Sequence, residues 1–436
     1  MKKLTTLFFV ILTAVCTAQQ PVITLQQLWQ EAEQNSRLIK VKQTALLSAE
    51  QGVTASRSSM LPDVEVSANV GYLGDGLLTD RNFKNSLHID NPHFMNGFSA
   101  SASQLVYGGG VVKNAVKAAE TGRDIAALDL ENERQSVRLM IASYYLDICR
   151  MYNQMAVLDD NLNLCNVLIA NMKEMEKQGT ALANDILRYE LQCENIILSK
   201  RRVNDALSTL YRRIATATGR EGSNDFLPDT SLYSMPVEML ADSVWQSKTA
   251  ENITVQMAQG GVTLKEHELK IAKSGMLPKV TFVAEDNFSG PITIEVPVID
   301  KNFNYWFAGV GVSYNISSLY KNKRDIRKSE IELEVSKERH RLAVEQTGDE
   351  IFAAYTDLMT SQAEIETQAK NVELARRNYN VILSRYHNGL AAVTDMLDAA
   401  NTKLDTELSL VNSKINLLHN YFRLNYLSGK LYTVEN

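Results

Sequence analysis

Two short stretches decide how this chain is read: GTALANDIL, Gly179 to Leu187, and GLAAVTDML, Gly389 to Leu397. Their glycines stand 210 residues apart, and each is followed by Asp six residues on and Leu eight residues on. Each phrase interrupts a long helix-forming run. Gly179 and Gly389 can take positive φ and end one helix, while Asn184 or Asp185, and Thr394 or Asp395, can cap the free N–H groups of the next. Leu187 and Leu397 then restart an apolar stripe. Each phrase is therefore expected to be the tip of a hairpin of two antiparallel helices.

The flanking sequence supports this. Val137, Ile141, Tyr144 and Ile148 open a run that continues through Leu158, Leu162, Cys165, Ile169 and Met172 in steps of four and three. That alternation is a coiled-coil seam. Leu397, Ala400, Leu404, Leu408, Val411 and Ile415 repeat it. Helices are predicted over roughly 111–178, 185–218, 320–387 and 395–428, the longest extending about 100 Å at 1.5 Å per residue.

Elsewhere the period falls to two. Val64, Val66, Ala68, Val70 and Tyr72 alternate with polar or small residues, as in a strand. Strands are predicted at about 63–73, 97–107, 279–287 and 303–316, joined within each pair by the polar or glycine-containing segments 74–96 and 287–302. The halves match in further places. SRSSMLPDVEV from Ser56 aligns with AKSGMLPKVTF from Ala272, and IATATG ending at Gly219 aligns with LNYLSG ending at Gly429. The reading is an internal duplication, with repeats at 19–219 and 237–436 and a linker at 220–236.

The first twenty residues, MKKLTTLFFVILTAVCTAQQ, have the basic, apolar and small-residue zones of a secretory signal peptide, with cleavage expected after Ala18. Lipidation at Cys16 is disfavoured because Val15 is large for the residue before a lipid-bearing cysteine. Losing Lys2 and Lys3 takes the formal charge from −6 to −8, which argues against nucleic acid as a partner. No later apolar run reaches the length of a membrane-spanning helix. Cys149, Cys165 and Cys193 remain. Cys165 and Cys193 lie fourteen residues either side of Gly179, so a hairpin would bring them level. A disulfide is one reading; the adopted one is buried apolar thiols.

Aromatic residues cluster around the strands, among them Tyr72, Phe98, Tyr107, Phe282, Trp306 and Phe307. Strands of about ten residues with aromatics near their ends fit an outer-membrane barrel or a small soluble sandwich. The leader and the missing helical span select the barrel. Four strands cannot close a barrel alone, so oligomerisation is implied.

Signal peptide, two repeats, Met-Leu-Pro before each strand pair, LVYGGG (Leu105 to Gly110) at the strand-to-helix junction and the paired glycine phrases together resemble the TolC-like outer membrane efflux family. The resemblance covers essentially the whole mature chain. It implies a mostly α fold with a small transmembrane β part, built from a duplicated helix–strand–strand–long helical hairpin unit. A homotrimer would give four strands per chain to a 12-stranded outer-membrane β-barrel set in lipid, continued by a periplasmic α-helical barrel. The function implied is the exit duct of a tripartite efflux or type I secretion system for small molecules or polypeptides, with a periplasmic adaptor and an inner-membrane transporter of RND or ABC type as partners. By the same resemblance the hairpin tips form the gate. Asp398 aligns with an acidic constriction ring, Asp185, Asp395 and Tyr386 with positions linking neighbouring helices, and the tips (Gly179, Leu187, Gly389, Leu397) with the adaptor docking surface. Ala391 stands where the family commonly has an arginine, which leaves Arg385 or Arg188 as the cation. YNISSLYKN from Tyr314 departs from the glycine pair usual at the second junction.

Other classes have little residue support. GGG at 108–110 lacks the Gly-Lys-Ser/Thr of a phosphate loop, and no nucleophile, base and acid cluster, so neither enzyme activity nor a cofactor is expected. His88, Asp90 and His93 in LHIDNPHF are read as polar residues of an external loop, with no metal. The competing class is a periplasmic coiled-coil tether, which shares the long helices but requires no strands.

Overall fold

The computed structural model describes residues 21–179, 181–220, 226–229, 231–232, 235 and 237–429. The leader expected at 1–18, and Cys16 with it, lies outside them. In chain order the elements are β1 (Val22–Ile23), α1 (Leu25–Asn35), α2 (Arg37–Ser58), β2 (Asp63–Tyr72), β3 (Gly76–Leu78), β4 (Leu87–Ile89), β5 (Phe94–Tyr107), α3 (Val111–Lys177), α4 (Ala183–Thr218), β6 (Leu227–Pro228), α5 (Asp242–Gln246), α6 (Ile253–Ser274), β7 (Lys279–Gly290), β8 (Phe303–Ser313), α7 (Ser318–His387) and α8 (Val393–Leu427). They fall into two compact units. One comprises Met1–Lys40, Arg134–Ser247 and Glu350–Asn436, the other Val41–Glu133 and Lys248–Asp349.

The second unit carries a four-stranded antiparallel sheet in the order β2-β5-β7-β8. Its register places Val64, Val66 and Val70 of β2 across from Ala102, Ala100 and Asn96 of β5. On the same face Ala284 and Asp286 of β7 meet Ala308 and Trp306 of β8. This face is apolar apart from a few positions such as Asp286. The opposite face of β2 and β5 presents Glu65, Ser67 and Asn69 against Ser101, Ser99 and Gly97. In a soluble sandwich the apolar face would be covered. Here Val66 is 78% exposed and Trp306 77%, and among the described residues β2 and β8 each keep one unpaired edge. An uncovered apolar sheet face of this extent is what lipid, not water, accommodates. Among the described residues no helix is long and apolar enough to cross a membrane.

Both strand-to-helix junctions have a local chemical cause. Gly109 and Gly110 take φ of 66° and 82°, and a Cβ on Gly109 would lie 2.7 Å from Leu277 Cδ1. The glycine run of the first half thus gives way to the leucine of the second Met-Leu-Pro. At the second junction Asn315 supplies what glycine does not. Its Oδ1 accepts from the Ser317 N–H (3.1 Å) and Oγ (2.7 Å), and its carbonyl accepts from Ser318 Oγ (2.6 Å), closing the turn into α7.

In the first unit Thr24 opens α1 with a reciprocal cap, accepting from the Gln27 N–H while Gln27 Oε1 accepts from the Thr24 N–H. The expected linker is docked where it is described. β6 pairs in parallel with β1, Tyr211 Oη donates to the Phe226 carbonyl (2.6 Å), and Tyr145 Oη bridges the Ile23 carbonyl and the Asp229 N–H. Trp245, Ile351, Leu358, Tyr421 and Leu424 form a buried core.

Five seam positions on three helices differ from the periodic reading. Asn161 and Leu168 are buried where Leu162 and Ile169 were expected, Ile186 where Leu187 was expected, and Met396 and Ala399 where Leu397 and Ala400 were expected. In each case the buried residue precedes the expected one by one position. The cause on α3 and α8 is a polar group in the interior: Asn161 and Glu407 occupy the inward positions, so counting apolar residues alone lands on the flank of the stripe.

Candidate functional site at the helical hairpin tips

Both tips are shaped by backbone rather than by crowding. Gly179 and Gly389 have φ of 76° and 70°, yet a Cβ on either would meet nothing within 4 Å. It is the left-handed conformation that calls for glycine. At the second tip the Leu390 N–H donates to the Arg385 carbonyl (2.8 Å) and the Gly389 N–H to that of Tyr386 (2.9 Å), a complete Schellman closure. The first tip shows the matching Gly179 to Glu176 bond (2.8 Å).

The capping expectation is corrected. α4 and α8 start at Ala183 and Val393, with Leu182 and Ala392 in the extended N-cap position and no side-chain cap from either. The helices begin early because Ile186 and Met396 must turn inward. Asn184 and Thr394 become exposed second residues, and Asp185 and Asp395 third residues. There the carboxylates favour the positive end of the helix. Asp395 also reaches back, its Oδ2 accepting from the Ala392 N–H at 3.1 Å.

The cysteine reading is corrected too. Cys165 and Cys193 form a disulfide between α3 and α4, with Cα atoms 6.2 Å apart, while Cys149 is a buried free thiol. Two thiols held level and facing inward in an antiparallel hairpin have the geometry for a bond, and an exported chain meets the oxidising conditions that form it. Lys173 to Glu190 (2.9 Å) and Lys200 to Asp159 tie the same helix pair.

Of the residues expected to link neighbouring helices, Tyr386 is buried and feels the charge of Asp185. It is only 7% exposed, and its hydroxyl is pushed above its ordinary pKa by burial and then by the nearby charge of Asp185. Tyr189 and Tyr379 are buried with it, Tyr379 being pushed up to about 12 by burial. Sequence reasoning missed both, although Tyr189 sits four residues after Asp185. Leu187, Arg188, Thr394 and Asp398 point to solvent, as does Arg385, whereas Leu397 is half-buried. Among the described residues Arg188, Arg385 and Asp398 make no ion pair.

A second polar cluster links three helices and was also missed. Glu407, 8% exposed, accepts from Arg376 Nε (2.8 Å), Lys403 Nζ (3.2 Å) and Asn161 Nδ2 (3.2 Å), while Lys403 also donates to Asn161 Oδ1 (3.1 Å). Burial alone would raise the Glu407 pKa; the hydrogen bonds and the Lys403 charge outweigh it, so the carboxyl titrates below its ordinary value. The only sequence signal was an acidic residue beside a seam leucine. Gln192 Nε2 donates to Asn401 Oδ1 (2.6 Å), so α4 and α8 are in contact as well.

The outer membrane efflux protein family matches residues 28–181 and 244–430. The chain belongs to it. Solved structures share the fold: VceC, an outer membrane protein of Vibrio cholerae, at 16% identity with a TM-score of 0.79, covering 93% of this chain and 96% of that one. CusC aligns at 12% identity and a TM-score of 0.80 over 93% and 92% of the two chains. The open state of the MtrE channel of Neisseria gonorrhoeae aligns at 14% and 0.75 over 93% and 89%. No curated protein matches. As an outer membrane efflux protein the chain is a channel and not an enzyme, with its strands in the outer membrane and its long helices in the periplasm. The tether reading falls, since the four strands belong to the family's fold.

Proposed function

We propose that this outer membrane efflux protein is a homotrimeric exit duct whose hairpin tips form the periplasmic gate. The observation that carries the proposal is the sheet with two free edges and an uncovered apolar face. An open edge leaves N–H and C=O groups unsatisfied in hydrocarbon. Pairing β8 of one copy with β2 of the next, three times over, closes a 12-stranded barrel and removes every edge.

On this reading the chain is an internal duplication whose two hairpins contribute equivalent tips. Asp398 converges with its symmetry copies as an acidic constriction, and Arg188 and Arg385, which make no ion pair among the described residues, are available to the neighbouring copy. Gly179, Leu187, Gly389 and Leu397 form the docking surface for a periplasmic adaptor, which joins the duct to an inner-membrane transporter of RND or ABC type. Leu182, Leu187 and Leu390 support this, being large apolar side chains exposed at the tips. The duct would pass small molecules or polypeptides, driven by its partner.

Fractionation and unheated electrophoresis test the proposal. The expected result is a detergent-requiring, heat-modifiable trimer in the outer membrane. Release of a monomer by osmotic shock would overturn it.

A further inference from the structure

Outside the tips, the loop between β2 and β5 brings together side chains with metal-ligating chemistry. Its small hairpin pairs Gly76 of β3 with Ile89 of β4 and Leu77 with His88. Continued by one step, that register sets Asp75 against Asp90. Because side chains alternate along a strand, Asp75, His88 and Asp90 then share one face. One ligand atom from each lies within 4.8 Å of the others, and His88 Nε2 is 3.7 Å from Asp75 Oδ2. Sequence reading picked out His88 and Asp90 but not Asp75, which is 13 residues earlier and reaches them only through the hairpin.

The group is braced. Asp75 Oδ1 accepts from the Asn91 N–H at 3.2 Å, and Asn91 Nδ2 donates to the Gly74 carbonyl at 2.9 Å. His93 Nδ1 lies 3.0 Å from the Leu73 carbonyl and 4.0 Å from Asp75 Oδ1. A carbonyl only accepts, so this nitrogen carries its proton and donates it to Leu73, which fixes the ring beside the carboxylate. The ring is stacked on Tyr72, with centroids 4.8 Å apart. Groups that hold a ligating carboxylate in this way raise the affinity of a metal site.

We propose that Asp75, His88 and Asp90 form a divalent transition-metal site, with Zn²⁺ as its natural occupant. One imidazole and two carboxylates offset the two charges of the ion and leave a fourth position for water, the three-ligand pattern zinc accepts. Ligands about 2 Å from the ion would draw together by roughly an ångström, which side chains on an exposed hairpin can do by rotation. The helices α2 and α3 both leave the same end of the β2–β5 pair, and the helices are periplasmic. The hairpin therefore lies at the outer mouth, where the ion would clip its two strands. The proposal is independent of the gate and of the trimer.

Zn²⁺ alone, titrated into full-length detergent-solubilised protein purified without a histidine tag, tests it by chelator competition. Saturable uptake of one ion per chain is expected, weakened at least about tenfold in Asp75→Asn and in His88→Ala and unchanged in His387→Ala on α7. Circular dichroism should be the same for all four proteins, so that lost binding is not lost folding. Absence of saturable uptake in the unaltered protein, or equal uptake in the two site variants, would overturn the proposal.

Discussion

The two hairpin tips share a turn but not a means of holding their helices. The α3–α4 hairpin is stapled covalently by Cys165–Cys193 about four turns back from Gly179. The α7–α8 hairpin has no cysteine. It relies on Glu407, gripped by Arg376 and Lys403 and joined to α3 through Asn161. One device is indifferent to pH and sensitive to reductant; the other is the reverse. An opening motion would meet different resistance in the two hairpins, with the α7–α8 hairpin depending on charges that solvent conditions can alter.

The largest effect should come from the polar device. Glu407→Ala leaves the half-buried Lys403 with no carboxylate partner, only the Asn161 amide and the face of the Tyr379 ring, and is expected to cost about 3 kcal/mol, read as faster hydrogen exchange in α7–α8 peptides with little change near Gly179. Because the folded carboxyl titrates below its ordinary value of 4.5, its contribution is complete above that pH and fades as pH falls below it. Glu407→Gln should abolish that acid sensitivity. Exchange in α7–α8 that stays acid-sensitive in Glu407→Gln would assign the effect elsewhere.

Reducing the disulfide, or Cys193→Ser, should loosen the other hairpin by about 3 kcal/mol, the loop-closure entropy for a ring of this size. The loss should be confined to α3–α4 exchange and independent of pH. Equal loosening of both hairpins would mean that they open as one body.

Gly179→Ala and Gly389→Ala should each cost about 1 to 2 kcal/mol, since both residues hold positive φ, and nearly equally, since neither Cβ would clash. Unequal penalties would show that one turn is also held from outside the chain. The smallest stability effect belongs to Asp395→Ala, about 0.5 to 1 kcal/mol from its bond to the Ala392 N–H. Combined with Asp185→Ala it should raise planar-bilayer conductance if these carboxylates help close the gate. Unchanged conductance would reduce both to residues of the first helical turn.

Much of this was legible in one dimension, because helix and strand periods and glycine's backbone freedom are local properties. The four long helices begin and end within a few residues of their expected limits, and both tip glycines carry the positive φ required of them. The seams were misplaced by one residue where polar side chains took interior positions, a choice made by the neighbouring helix. The cap assignments failed because Leu182 and Ala392 start their helices before the acidic residues, so that the inward-facing Ile186 and Met396 fall in register.

The sequence by itself determined the element order, the hairpin turns and strands with one apolar face, since all of these follow from periodicity and local backbone chemistry. Only the tertiary structure decided that Cys165 meets Cys193, that Tyr386 lies beside Asp185, that Glu407 is shared by three helices and that Asp75 joins His88 and Asp90. These contacts join residues far apart in the chain, and their partners are set by the register between elements, which no single segment encodes.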